Sequence, residues 1–270
     1  HAESVPGQRT LLDDELYAVV RLGQDFLNNY YEIKIPLKVT RPGRYPKGQE
    51  DKIWPALNNL DLSLRSLIDL KQRRNSKGLS VTNIYREALG NKIVSVQGNP
   101  NLGEVRGILI GVENKYRPDG PVLSAEVWAN ELRLSEMDEQ GGWSALGRVD
   151  MVLADLGTLS VSANTHSVGF GTIEQRVNER AKENMTQFDV AANIEAGKLL
   201  PKKANISLPV YASINRTVFT PAFDPYDKDI RFKEQLNRAA VEKRDSMKQA
   251  AMDQTTIKTI NFTNVKVLPS

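Results

Sequence analysis

The sequence predicts a mainly β protein of the α+β class, in which a jelly-roll-like or β-sandwich-like domain precedes an antiparallel sheet with one long helix. Three observations carry this prediction. The first half consists of short apolar alternations separated by turn clusters rich in Gly, Pro and Asn. The second half contains longer and cleaner alternations of apolar and polar residues. A charged segment with helical periodicity then follows them.

The composition is that of a globular protein and argues against several functional classes. The chain has 270 residues, which suits one or two domains. Its hydrophobic fraction of 40% and charged fraction of 26% exclude a fully disordered, collagen-like or coiled-coil protein. The net charge of +3 is too weak to predict a nucleic-acid partner. With no cysteine and only His1 and His166, we expect no disulfide, cysteine–zinc site or histidine-based triad.

The first domain is predicted to cover residues 1–135 and to consist of short strands. Within residues 30–40, the nine residues 31–39 alternate strictly between two faces, one of them apolar, so the run is predicted to form a strand. Pro36 lies inside this run and cannot donate a ladder hydrogen bond, which favours an edge strand or a bulge. Residues 64–74 have helical spacing and a basic end that suits a helix C-terminus. Two apolar runs flank the turn sequence QGNPNLGE and predict a hairpin between 92–96 and 105–112.

The second domain is predicted to cover residues 136–270, after a change of composition at SEMDEQGG. Four alternating segments lie near residues 148–153, 159–164, 188–195 and 206–215, and they predict one sheet with one apolar face. Two interpretations of that face remain. Helices cover it in a soluble core, or lipid contacts it, because the strands of outer-membrane barrels show the same alternation. A charged helix of about residues 228–253 follows, and we expect it to present a solvated face.

Few residues qualify as a chemical site. Gly169 and Gly171 form half of a phosphate-binding glycine loop, but the third glycine is missing and a turn is the favoured interpretation. The acidic run 13–15 lacks the spacing of a calcium loop. Glu174, Glu179 and Glu183 do not share one helix face, so a solvated surface is favoured over a cation site. We therefore predict no catalytic residue, no cofactor and no metal.

Three tryptophans carry the remaining binding hypothesis. The sequence predicts one of two roles for Trp54, Trp128 and Trp143. They have a structural role, with Trp128 and Trp143 anchoring cores, or their rings stack on a ligand. A glycan is the ligand that a jelly-roll surface with aromatic side chains would bind. The sequence thus keeps a glycan-binding surface module as the alternative function.

Several long segments resemble the SprA/Sov family of Bacteroidetes cell-surface proteins. The resemblance is carried by FLNNYYEIKIPL, IWPALNNLDLSL, EVWANELRLSEMDEQGGWSA, GFGTIEQRVNER and PAFDPYDKDI, in this order along the chain. It extends from about residue 17 to residue 267. Family members are far longer than this chain, so the resemblance implies that the chain is an internal fragment.

The resemblance implies a non-enzymatic role in protein transport. Members of the family are outer-membrane proteins linked to gliding motility and to the translocon of the type IX secretion system. The expected partners are other secretion or motility proteins and secreted cargo proteins, with no nucleic acid. The expected location is the outer membrane or cell surface, with the fragment periplasmic or extracellular. Residues 143–270 are then expected to form an exposed domain or to hide their apolar face by oligomerising.

Overall fold

The computed structural model describes residues 1–116, 118–136, 141–176, 179–201 and 205–267. The protein is mainly β, with antiparallel sheets and a few helices, so the predicted class is confirmed. The chain divides into two compact units. Unit 1 comprises residues 1–135 together with 227–229, and unit 2 comprises residues 136–226 and 230–270.

Unit 1 contains a five-stranded antiparallel sheet in the order β4-β5-β3-β2-β6, and a two-stranded sheet in which β1 pairs with β7. Its strands are β1 (Ala2–Ser4), β2 (Leu16–Gly23), β3 (Tyr30–Pro36), β4 (Tyr85–Leu89), β5 (Lys92–Gln97), β6 (Gly107–Asn114) and β7 (Ala125–Val127). Its helices are α1 (Glu50–Ile53) and α2 (Leu64–Ser76).

The core of unit 1 lies between the five-stranded sheet and α2, which corrects the jelly-roll prediction. Leu67 and Leu70 of α2 are fully buried against alternate residues of β3 and β5. The helix starts at Leu64 because the Ser63 hydroxyl accepts a hydrogen bond from the Arg65 amide. The helix therefore covers a face that a jelly roll would cover with a second large sheet. A smaller cluster, which includes residues of β1 and β7, extends the core.

The topology of unit 1 also overturns two local predictions. Strands β5 and β6 do not form a hairpin, because β5 pairs with β3 and β4 while β6 pairs with β2. The chain between them crosses two intervening strands. Strand β3 is central rather than an edge. Pro36 is tolerated there because it is the last residue of the strand.

Unit 2 contains a second five-stranded antiparallel sheet, in the order β8-β9-β10-β12-β13, and a short pair formed by β11 and β14. Its strands are β8 (Ser144–Val152), β9 (Gly157–His166), β10 (Glu183–Glu195), β11 (Ile206–Ser207), β12 (Pro209–Pro221), β13 (Asp253–Phe262) and β14 (Lys266–Val267). Its helices are α3 (Phe232–Arg238) and α4 (Val241–Ala251).

The single long helix predicted for residues 228–253 is wrong, because the structure divides it into α3 and α4. Ala239 and Ala240 between them have extended backbone angles, with ψ of 147° and 142°. The Arg244 side chain donates hydrogen bonds to the carbonyls of Asn237 and Ala239, which α3 leaves free at its C-terminus. Residue 253, the predicted end of the helix, already begins β13.

Candidate interaction surface

The five-stranded sheet of unit 2 has one apolar face, as the sequence predicts. Antiparallel neighbours share a face, so the register places apolar side chains in continuous rows across the strands. One row contains Val149, Val161, Val190 and Ile214, and it ends at Lys258 on β13. The next row contains Met151, Leu159, Ala192, Ala212 and Ile260. We call this surface the apolar face.

The opposite side of the same sheet, which we call the polar face, carries charged and hydroxyl side chains. Its central row contains Arg148, Ser162, Asp189 and Asn215. Arg148 Nε lies 2.9 Å from Asp150 Oδ2, and the Ser160 hydroxyl also donates to Asp150. These hydrogen bonds, led by that from Arg148, hold the pKa of the Asp150 carboxyl below its usual value.

This sheet has no buried core. Every residue of β8–β10 and β12–β13 is exposed or half-buried, including the apolar residues of the middle strands. The outer strand β8 is exposed along its whole length, with Leu146 75% and Val152 78% accessible. Within the described part of the chain, no strand pairs with the outer side of β8 or of β13. Among the described residues, the sheet therefore has an apolar face and two outer strands with one unpaired side each.

A tight turn fixes the β8–β9 hairpin. The Leu153 amide donates to the Gly157 carbonyl at 2.8 Å, and the Leu156 amide donates to the Leu153 carbonyl at 2.9 Å. Gly157 has φ +152°, and a Cβ atom there would lie 1.9 Å from the Asn193 carbonyl oxygen on β10. Only glycine fits this position, because both its backbone angle and its close approach exclude a side chain.

Unit 1 contains a buried ionic cluster around Lys71 of α2, whose side chain is 1% exposed. Lys71 Nζ donates to Asp227 Oδ1 at 2.7 Å, to Asp229 Oδ2 at 3.1 Å and to the Pro100 carbonyl at 2.6 Å. All three ammonium protons therefore have an acceptor, as a buried cation requires. The cluster holds residues 227–229 on unit 1.

Neutral and backbone groups complete this cluster. The Tyr31 hydroxyl donates to Asp229 Oδ2 at 2.6 Å, and the Leu102 amide donates to Asp229 Oδ1 at 2.7 Å. Burial, followed by the charge of Asp229, raises the pKa of the Tyr31 hydroxyl, which stays protonated and acts as a donor. Arg74 is also fully buried and donates to the Gly98 carbonyl at 2.6 Å. Burial lowers the pKa of its guanidinium.

The sequence analysis missed this cluster. In the sequence, the basic end of α2 indicates only helix-dipole stabilisation, and Asp229 falls inside the segment predicted as one long helix. One signal in the sequence could have indicated a buried charge. Lys71 follows Leu67 by four residues and Leu70 by one, so helical spacing places it near the side of α2 that packs against the sheet. Its two carboxylate partners lie 156 and 158 positions away, so no local pattern identifies them.

The three tryptophans are exposed, so the expectation that Trp128 and Trp143 anchor cores is wrong. Trp54 is 44%, Trp128 57% and Trp143 60% accessible. In unit 1, the Trp54 ring lies 5.6 Å from the His1 ring, and the Trp128 amide donates to the His1 carbonyl. Trp143 belongs to unit 2, where its amide donates to the Ser167 hydroxyl. Ligand stacking by these residues stays a prediction.

The glycines of the GFG sequence occupy a loop between β9 and β10. Gly169 has φ +84°, which favours glycine, and its amide donates to the Ala181 carbonyl at 2.8 Å. At Gly171 a Cβ atom would lie 2.4 Å from Gln175 Oε1. Gly169 therefore needs glycine for its backbone angle, which fits the turn interpretation, whereas at Gly171 the nearest atom is the end of a flexible side chain.

The acidic residues of the run 13–15 are paired with bases or backbone amides. Lys38 Nζ lies 2.7 Å from Asp14 Oδ2. Glu15 is buried and accepts from the Leu12 amide and from Arg9, and these contacts, with the amide first, lower the pKa of its carboxyl. The described residues contain no group of three or more acids and histidines placed to hold a metal ion. None of their helices is long and apolar enough to cross a membrane.

Taken together, these features define a two-unit, mainly β protein with an extended amphipathic sheet. The family model SprA_N, described as a motility related/secretion protein, matches residues 1–236. The chain therefore belongs to this family, and the resemblance to the SprA/Sov proteins is confirmed. It is a motility- and secretion-related protein. No curated protein matches the chain.

Proposed function

We propose that the chain is a non-enzymatic part of a protein-translocation assembly in the outer membrane, namely the type IX secretion system that also supports gliding motility. Family membership supports the secretion and motility role. The observation that carries the proposal further is the sheet of unit 2, which is amphipathic and has no buried residue. The apolar face of such a sheet requires contact with lipid or with another apolar surface that excludes water. The components of a large envelope assembly provide that contact.

The proposed partners are other proteins of the secretion or motility system and the cargo that it exports. The polar face, with its row of Arg148, Ser162, Asp189 and Asn215, suits contact with water or with polar protein surfaces. The apolar face suits lipid or the apolar surface of an assembly component. The cell surface or outer membrane is the proposed location.

Adjacent substitutions on one strand test this role in cells that carry the full-length protein. Val161→Lys places a charge on the apolar face, and Ser162→Lys is the matched control on the polar face of the same strand. We expect Val161→Lys to reduce cargo secretion and gliding at least tenfold, with Ser162→Lys near normal. Equal defects, at equal protein levels in the envelope, would contradict the proposal.

A biophysical measurement tests the need for a cover directly. Light scattering on the purified chain is expected to show association without detergent and a single small species with detergent. A monodisperse monomer in detergent-free buffer would show that the apolar face needs neither lipid nor protein.

Glycan binding is the second candidate, and the exposure of Trp54 and Trp128 supports it, because exposed indole rings can stack on sugars. A glycan array compares the chain with the variants Trp54→Ala and Trp128→Ala. Specific binding that disappears in either variant would favour the glycan-binding module. Binding that is absent, or unchanged in both variants, would exclude these rings as a sugar site.

A further inference from the structure

We propose that unit 1 contains a receptor site for an acidic peptide of the form Asp-x-Asp, and that residues 227–229 are the ligand that occupies it in this chain. The receptor, which we call the carboxylate cradle, consists of the Tyr31 hydroxyl, the Lys71 ammonium group and the Leu102 amide. All three donate hydrogen bonds to the carboxylate of Asp229. The proposal does not depend on the secretion role, because it follows from contacts inside unit 1.

The carboxylate cradle binds both oxygens of one carboxylate. Asp229 Oδ1 accepts from the Leu102 amide at 2.7 Å. Asp229 Oδ2 accepts from the Tyr31 hydroxyl at 2.6 Å and from Lys71 Nζ at 3.1 Å. The Asp229 side chain is only 2% exposed, so these three donors replace the water that a carboxylate loses on burial. Hydrogen bonds to a charged group are stronger than those between neutral groups, and this arrangement is that of a specific anion site.

Each donor of the cradle is fixed by parts of unit 1 other than the acidic ligand. Tyr31 belongs to the hydrophobic core on β3, and Lys71 lies on α2, which packs against that core. The loop that carries Leu102 is held at the Gly98 carbonyl, which accepts from Arg74 at 2.6 Å. Donors that are already in position bind a ligand with little further loss of conformational freedom.

The buried charges of unit 1 at this position also require an acidic ligand. Lys71 and Arg74 are both fully buried. Their other acceptors are backbone carbonyls and an amide side chain, which carry no charge. Among the residues that the structure describes, no acid other than Asp227 and Asp229 forms an ion pair with either cation. Two buried cations without a nearby acid of their own favour an anionic ligand over a neutral one.

The form Asp-x-Asp follows from the turn that the ligand makes. Asp227 Oδ1 accepts from Lys71 Nζ at 2.7 Å and from the Asp229 amide at 3.3 Å. The second of these bonds closes a turn in which the side chain of one aspartate binds the backbone two residues on, and it holds the two carboxylates close together. The middle residue, Lys228, is exposed and pairs with the exposed Glu104. Such a pair contributes little, so the middle position is free to vary.

Fluorescence anisotropy on the 270-residue chain tests whether the cradle binds an acidic peptide in trans. The double variant Asp227→Ser, Asp229→Ser leaves the cradle without its ligand, and the probe is a fluorescein-labelled peptide with the sequence of residues 222–232. We expect the double variant to bind this probe at least tenfold more tightly than the original chain does. The reason is that a ligand in the same chain competes at a high effective concentration. A probe with serine at positions 227 and 229 should not bind.

Two lysine substitutions in the double variant show whether the probe occupies the cradle. Lys71→Met is expected to abolish binding, and the resulting chain has neither the buried ammonium group nor the two acids, so no opposite charge is left without its partner. Lys77→Met is the matched control, because Lys77 is exposed at the end of α2, and binding should be unchanged. Equal binding of the two probes, or binding that survives Lys71→Met, would overturn the proposal. So would a double variant that binds neither probe.

A small carboxylate tests the cradle without a peptide. Asp229→Ala removes one carboxylate, while Asp227 still provides a counter-charge for Lys71, and formate has the size of the group removed. We expect sodium formate to raise the amide exchange protection of α2 in this variant at least tenfold, relative to sodium chloride of equal ionic strength and pH. A ligand that binds only the folded state stabilises it in this way. The original chain should show no such increase. If formate and chloride act alike on the variant, whether it is folded or unfolded, the proposal is wrong.

Discussion

The two five-stranded sheets of the protein have the same strand number and the same antiparallel pairing, but only one encloses a core. In unit 1, alternate residues of β3 and β5 pack against α2 and are almost inaccessible. In unit 2, the equivalent apolar rows are at best half-buried, and no residue of the sheet is buried. The difference lies in the cover and not in the strands, because both sheets show the alternation of apolar and polar residues.

This comparison separates two sources of stability. Unit 1 gains the free energy of burying apolar side chains, and also contains a buried ionic cluster. The sheet of unit 2 depends on long ladders of backbone hydrogen bonds and on the geometry of its turns. Substitutions should therefore affect the two units differently, and hydrogen exchange followed by mass spectrometry can assign each effect to one unit.

The largest effect is expected from Lys71→Met in unit 1. Removing the cation leaves the buried carboxylate of Asp229 and the half-buried carboxylate of Asp227 without the Lys71 charge, and breaking a buried pair in this way typically costs about 3–5 kcal/mol. Exchange protection should fall across α2, β3 and β5. The matched control is Lys228→Met, which removes an exposed ion pair with Glu104 from the same segment and should change little. Equal losses in both variants would show that burial does not govern the cluster.

Leu67→Ala should follow, with a loss of about 2–5 kcal/mol in unit 1, because its side chain is fully buried and the change leaves a cavity. Val149→Ala on the apolar face is the counterpart in unit 2, where the side chain is 57% accessible. We expect a much smaller loss there, measured by the exchange protection of β9 and β10. If Val149→Ala destabilises unit 2 as strongly as Leu67→Ala destabilises unit 1, the sheet of unit 2 has an effective core.

Gly157→Ala should be the most damaging small substitution in unit 2. It combines a backbone angle that side chains rarely adopt with a clash against the Asn193 carbonyl, and strain of this kind costs about 1–3 kcal/mol. The expected result is lost protection at the β8–β9 hairpin. Gly147→Ala in the middle of β8, where a Cβ atom meets nothing within 4 Å, is the control and should be tolerated.

The smallest effect concerns acid sensitivity in unit 1. The amides of Asn28, Leu27 and Asn29 donate to the Asp25 carboxylate, and they lower its pKa from 3.8 to about 2. Because the folded-state pKa is depressed, the stabilisation is complete above about pH 4 and is lost as the pH falls toward 2. The melting temperature of Asp25→Asn should therefore lie below that of the original chain at pH 7. The gap should close near pH 2, and a gap independent of pH would contradict this assignment.

The local elements were largely predictable from the sequence, and the long-range contacts were not. Strict alternation identified β3, and helical spacing identified α2, because both patterns reflect a single buried face. The hairpin between β5 and β6 was wrong because adjacency in sequence does not determine adjacency in a sheet. The long helix was wrong because its apolar stripe is thin, and side-chain contacts of Arg244 stabilise the break. The Lys71 cluster required contacts that only the folded chain reveals.

The position of residues 227–229 has a consequence for the order in which the protein is completed. A chain that folds from its N-terminus during synthesis contains all of β2 to β6 long before these residues appear. Until then, Lys71 has a backbone carbonyl but neither carboxylate. Unit 1 should therefore pass through an unfinished state in which α2 docks loosely. The final packing of α2 would form only after residues 227–229, which follow β12, have been synthesised. The N-terminal unit would therefore reach its full stability only when this later part of the chain is present.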